Sequence, residues 1–102
     1  MHVISRKTLR LAAKRLPMAA GGLEHWYRVA RQAEWRNLQQ VRESFPHADA
    51  VVVASGNIAT VFNVCGNNFR LVTVMHYNRS KVYVAMVLTH AEYSREKWKG
   101  QL

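Results

Sequence analysis

One stretch, Val61 to Tyr93 (VFNVCGNNFRLVTVMHYNRSKVYVAMVLTHAEY), limits what this chain can fold into more than any other. Its runs of Val, Phe, Tyr and Thr are broken by two polar segments, Gly66-Asn67 and Asn78-Arg79-Ser80. β-branched and aromatic runs punctuated in this way read as antiparallel strands joined by tight turns. A two-residue loop at Gly66-Asn67 pairs Cys65 with Asn68. Asn63 then faces Arg70, Val64 faces Phe69 and Phe62 faces Leu71. Side chains alternate along a strand, so Phe62, Val64, Phe69 and Leu71 form one apolar face, with Asn63 and Arg70 on the other. A three-residue loop from Asn78 to Ser80 pairs Tyr77 with Lys81. It sets Leu88 opposite Arg70, with His90 one step beyond. A two-residue loop would turn His90 away, because a one-residue slip exchanges the faces. The preferred register gathers Asn63, Arg70 and His90 at one end of one face.

The rest of the chain is read against this meander. His2 to Ile4 suit a short edge strand. Ser5 has the chemistry to cap a helix with apolar positions Leu9, Ala12, Ala13 and Leu16. Pro17 ends that helix or opens the next, and Gly21-Gly22 weaken the helical reading locally. Leu23, Trp26, Tyr27 and Ala30 form a second helical stripe, and the short connection makes the two helices antiparallel. Trp26 and Tyr27 lie on the apolar stripe, which favours core over a stacking platform. Asn37 caps a third helix, Leu38 to Phe45, stopped by Pro46. Ala50 to Ala54 form a short β-branched run before the turn Ser55-Gly56-Asn57. Thr89 and Glu92 have capping-box spacing at the start of a last helix. Lys97 to Leu102 read as a polar, frayed end. The expected fold is α+β: an N-terminal helical hairpin packed on the apolar face of a small antiparallel β-meander, with a short C-terminal helix. One compact domain over residues 1–102 is expected at this length.

Charge narrows the function. Fifteen Lys and Arg against six Asp and Glu leave a net charge of +9. The excess is spread along the chain: nine basic and three acidic residues in 1–46, six and three in 47–102. Such a surface suits a polyanion, whether RNA, DNA or an acidic protein, and a plain basic surface is the alternative. The single cysteine, Cys65, can form neither an internal disulfide nor a cysteine-rich zinc site. The N-terminus lacks a signal-peptide core, and no apolar run approaches the ~18 residues of a membrane span. The expectation is a soluble, cytoplasmic protein with no membrane partner.

Histidines at 2, 25, 47, 76 and 90 show no helical metal-ligand spacing. No phosphate loop or nucleophile elbow is present, so no metal or cofactor is expected. An Arg, a His and a Tyr near one sheet end fit metal-free RNA cleavage. There the ribose 2′-OH attacks the adjacent phosphate, a base and an acid move protons, and a cation stabilises the phosphorane. His90 supplies acid or base chemistry. Arg70 holds phosphate by two-pronged hydrogen bonds. Tyr93, one helical turn after His90, donates a hydrogen bond or stacks on a base. Each has a structural alternative: Arg70 paired to Glu92 or Glu96, His90 bonded to backbone at a strand end, Tyr93 packed as core. His76 shares the Arg70 face but lies toward its far end. Arg79, Lys81, Arg95, Lys97 and Lys99 are solvated charges or phosphate contacts. Of these, Arg79, Lys81, Arg95 and Lys97 join Asn63 as candidate RNA-binding residues.

Two segments add a resemblance. FNVCGNNFRLV, Phe62 to Val72, resembles the Phe-Asn-x-x-Gly-Asn-x-x-Arg-Leu signature of HigB-type toxins of the RelE/ParE toxin–antitoxin superfamily. THAEY, Thr89 to Tyr93, resembles the second signature of that family, Thr-His-x-Glu-Tyr-Asp. The likeness spans nearly the whole chain. It implies a RelE-like fold and an mRNA endonuclease that works on the ribosome, in the A site of the small subunit. It also implies a neutralising HigA-type helix-turn-helix antitoxin. The carried catalytic positions are Arg70, His90 and Tyr93. Two positions depart from the pattern: Ser94 stands where the closing aspartate is usual, and Ala85 where the last strand often carries a basic residue. A non-catalytic growth inhibitor of the gyrase-binding type, and a degenerate toxin that only binds its antitoxin, are the competing readings. A general RNA-binding module fits less well, because Phe62 and Phe69 face the helices.

Overall fold

The computed structural model describes residues 1–102. The strands are β1 (His2–Ile4), β2 (Asp49–Val52), β3 (Ile58–Val64), β4 (Phe69–His76) and β5 (Lys81–Thr89). The helices are α1 (Arg6–Arg15), α2 (Ala20–Gln32), α3 (Leu38–Ser44) and α4 (His90–Ser94). The sheet order is β1-β5-β4-β3-β2. β2 to β5 form an antiparallel meander, and β1 lies parallel on the outer edge of β5. The α+β arrangement expected from the sequence is therefore the one observed.

The β3–β4 register is the expected one, with Asn63 opposite Arg70 and Val64 opposite Phe69. The left-handed residues of this turn are Cys65 and Gly66 (φ 54° and 68°), one position earlier than the Gly66-Asn67 pair. The β4–β5 connection differs more. Lys81 pairs with His76, not Tyr77, because Tyr77–Arg79 form a 3-10 turn closed by Ser80 at φ 53°. The loop is one residue longer than expected, and the register shifts once, between Val72 and Thr73. Thr73 pairs with Val84 and Val72 with Met86, so Ala85 is the extra residue of a β-bulge. The two departures cancel, and Arg70 faces Leu88 as expected. The bulge has a packing reason. It puts Val82, Val84 and Val87 all in the core under the helices, although their spacing of two and then three breaks strict alternation.

Two apolar layers result. Phe62, Val64, Leu71, Val82, Val84 and Val87 pack against Leu9, Ala12, Leu23, Trp26 and Ala30 of the helical hairpin. Phe62 is fully buried among Trp26, Trp35 and Phe45, with ring centroids 5.5, 6.2 and 5.3 Å away. Tyr27 is only half-buried, and the Arg6 and Arg31 guanidinium carbons lie 4.4 and 5.7 Å from its ring centroid. The opposite sheet face carries a smaller cluster: Val53, Ala59, Val61, Val72 and Trp98. Trp98 belongs to a 3-10 segment, Lys97–Gln101, that lies ordered against this face. The frayed end expected there is thus replaced by a strap, held because the indole is 3% exposed.

Capping follows the sequence at two of three helices. The Asn37 side chain accepts from Gln40 N–H at 2.9 Å, and Thr89 with Glu92 forms a full capping box. Ser5 precedes α1 in the left-handed region, and its side chain makes no cap hydrogen bond. α2 runs straight through Gly21-Gly22, and the second glycine has a steric cause. A Cβ on Gly22 would sit 2.6 Å from Val64 Cγ1 and 2.8 Å from Cys65 Sγ. Gly22→Ala is therefore expected to destabilise the fold by roughly 1–3 kcal/mol through overpacking, despite the better helix propensity of alanine. A denaturant midpoint equal to or above that of the parent protein would contradict this close approach.

Candidate active site

The β3–β4 turn and the end of β5 meet at one corner of the sheet, and α4 starts there. The His90 backbone N–H donates to Asn68 O at 3.1 Å, which fixes the start of α4 beside the turn. The capping box holds the first turn: Thr89 N–H donates to Glu92 Oε1 at 2.9 Å, and Glu92 N–H to Thr89 Oγ1 at 3.1 Å. Arg15 of α1 completes the brace, donating to Val87 O at 2.8 Å and to Glu92 Oε1 at 3.1 Å. The Thr89 backbone N–H, and after it the Arg15 guanidinium, hold the Glu92 carboxyl below its ordinary pKa. Glu92 therefore stays ionised and acts as a fastener for α4.

That brace answers one alternative for Arg70. Glu92 is engaged by Arg15, and Glu96 by Lys99 at 3.0 Å. Arg70 has no ion-pair partner. Its Nη1 donates to Asn67 O at 3.0 Å and to Phe69 O at 3.1 Å, and the guanidinium carbon lies 5.5 Å from the Tyr93 ring centroid. Two carbonyls and an aromatic ring aim the group without neutralising its charge. Asn63, directly across from Arg70, donates through Nδ2 to Asn67 Oδ1 at 3.4 Å.

Tyr93 is half-buried, and its ring stacks on Trp98 at 5.2 Å with an interplanar angle of 18°. Burial raises the phenol pKa above its usual value, and the Asp49 charge pushes the same way against Arg70 and Lys99. At neutral pH Tyr93 is thus a neutral donor. His90, the first residue of α4, is exposed. Its backbone is bonded, as the strand-end alternative supposed, but the imidazole makes no hydrogen bond within the protein and faces solvent.

The other candidates divide by position. Arg95 and Lys97 line a small cavity with Leu88, Glu92, Trp98 and Gln101, close in the chain to Tyr93. Arg79 and Lys81 lie at the opposite end of the β4–β5 hairpin, ~20 Å along the strand from Arg70. There they line a cleft with Arg31, Arg36 and Glu34, so the fold does not bring them to the corner. His76 packs edge-on against Tyr83 at 4.9 Å, a structural contact. No three His, Cys, Asp or Glu side chains converge as a metal site. No helix is long and apolar enough to cross a membrane. The residues the sequence reading passed over are Arg15 and Trp98. A tryptophan in an otherwise polar tail was the one sign of the latter.

Comparison with known proteins shows the family. Residues 19–96, which include both signature segments, match the model of a family described as the RelE-like toxic component of a toxin–antitoxin system. A protein of Escherichia coli CFT073 named mRNA interferase HigB is 28% identical over 95 residues, 93% of this chain and 90% of that protein. A Shigella flexneri protein of the same name is 29% identical over 93 residues, 91% of this chain and 88% of its own. With more than half its length matched by the family model, this chain belongs to the HigB toxin family, RelE-like toxins that act opposite an antitoxin.

Proposed function

We propose that this toxin is a ribosome-associated mRNA endonuclease that cleaves by metal-independent attack of the ribose 2′-OH on the adjacent phosphate. The observation that carries this reading is the Arg70 guanidinium, aimed by two carbonyls and Tyr93 yet free of any carboxylate. An unneutralised cation on a rigid strand suits the charge that builds on a phosphorane. The His90 imidazole, exposed at the same corner, can take the 2′ proton. Tyr93, neutral and half-buried, can donate a hydrogen bond to the phosphate or to the leaving 5′ oxygen. As the 2′ oxygen–phosphorus bond forms, the phosphorus–5′ oxygen bond breaks, and the departing 5′ oxygen takes a proton from the Tyr93 phenol, which solvent then restores. The products are a 2′,3′-cyclic phosphate and a 5′-hydroxyl.

The names of the relatives support mRNA as substrate. The net charge of +9 suits ribosomal RNA, with cleavage of the message where it passes the ribosomal A site. Asn63, Arg95 and Lys97 are the phosphate contacts nearest the corner, and Arg79 and Lys81 would touch RNA only at the far end of the sheet. The antitoxin partner is a HigA-type helix-turn-helix protein. Of the two departures from the signatures, Ser94 is exposed at the end of α4 and Ala85 is the bulge residue of β5. Mapping mRNA 5′ ends after induction tests the function, with translation running and with initiation blocked. New ends inside coding regions, only while translation runs, are expected. Growth arrest without new ends would leave the non-catalytic inhibitor in its place.

A further inference from the structure

The strap brings a side chain to the corner from beyond the family match, which ends at residue 96. α4 has five residues, too few to hold its own orientation, so tertiary contacts must set it. On one side stands the Arg15–Glu92 brace. On the other stands Trp98, whose Nε1 donates to Tyr93 O at 3.0 Å while its ring stacks on the phenol. The strap is itself tied down: Ala54 N–H donates to Lys99 O at 3.1 Å, and Ser55 Oγ to Leu102 O at 2.6 Å. The indole packs in one buried cluster with Val53, Ala59, Val61 and Val72.

We infer that Trp98 is a positioning residue for the reaction, holding the Tyr93 phenol beside the Arg70 guanidinium by stacking and by its N–H bond to the α4 backbone. The inference rests on the cleavage reading above. Without the indole, the Tyr93 ring loses its stacking partner, and α4 loses the contact opposite Arg15. Displacement of a reacting group by about 1 Å can cost ~10²-fold in rate, so the phenol is the group expected to suffer.

A double-mutant cycle on Trp98→Ala and Tyr93→Phe tests this, using single-turnover cleavage of a reporter mRNA in a reconstituted translation reaction, per folded molecule. Trp98→Ala is expected to slow cleavage ~10–100-fold with ribosome binding retained. Trp98→Phe, which keeps the stacking, should restore most of the rate. In the Tyr93→Phe background, Trp98→Ala should cost less than about threefold more, because its effect runs through the phenol. Equal losses in both backgrounds, or no loss in either, would overturn the inference. A second readout separates it from the site reading: the Tyr93 phenol titration, followed by carbon-13 NMR of labelled tyrosine. Trp98→Ala should bring that titration down toward the ordinary tyrosine range, and an unchanged titration overturns the positioning role. If Tyr93→Phe alone leaves cleavage intact, the catalytic assignment of Tyr93 falls, and the NMR readout still decides whether Trp98 sets its environment. Should Trp98→Ala not fold, Trp98→Leu replaces it in the cycle.

Discussion

Arg70→Ala is expected to lower the cleavage rate by ~10²–10³-fold, the usual loss when one preorganised donor to a developing oxyanion is removed. The fold should survive. The side chain is only half-buried, and its hydrogen bonds go to two carbonyls, Asn67 O in the adjoining turn and Phe69 O at the start of β4. Net contributions of such bonds are about 1 kcal/mol each, small against the core built around Trp26, Phe62 and Leu71. Arg70→Lys is the sharper companion. It keeps the charge but loses the fork that lets one edge bind the turn while the other faces phosphate, so it should recover only part of the rate. Full toxicity and normal cleavage by Arg70→Ala, at parental abundance, would remove the guanidinium from the mechanism.

The second large effect is expected at His90. Positioned acid–base groups contribute ~10²–10⁴-fold, and the imidazole at the start of α4 is exposed at this corner, where a ring nitrogen can take a proton from substrate. His90→Gln should thus slow cleavage by that order and leave ribosome binding close to parental. The backbone anchor is not at risk, since the bond to Asn68 O comes from the main chain. Parallel loss of binding and cleavage in co-sedimentation and single-turnover assays would make His90 a contact rather than a reactant.

Much of this corner was legible from residue types and spacing, for a local reason. The β3–β4 register follows from a turn dipeptide flanked by two alternating runs, and alternation alone puts Asn63 and Arg70 side by side. The capping box is equally local, because Thr89 and Glu92 answer each other within one turn. What escaped depends on contacts distant in sequence. The fate of Arg70 turned on whether Glu92 was free, and Glu92 is taken by Arg15, 77 residues away. The bulge at Ala85 was legible in principle from Val82, Val84 and Val87. A strictly alternating strand hid it, and an extra loop residue compensated for it. Trp98 was missed because a polar tail reads as frayed until the bare sheet face it covers is known. Ser5 shows the reverse case: a capping residue at the right position whose backbone, at φ 73°, turns its hydroxyl away from the cap role.

Everything proposed for the corner depends on a 2′-hydroxyl attacking the phosphate under the charge of Arg70. The most direct measurement uses an mRNA carrying a single 2′-deoxynucleotide on the 5′ side of the scissile bond, presented to the toxin in a translation reaction with its unmodified twin. The twin should be cut to a 2′,3′-cyclic phosphate and a 5′-hydroxyl, and the deoxy substrate should stay whole at that bond. Cleavage of the deoxy substrate, or a 5′-phosphate on the downstream product, would mean that water and not the ribose is the nucleophile, and would contradict the mechanism.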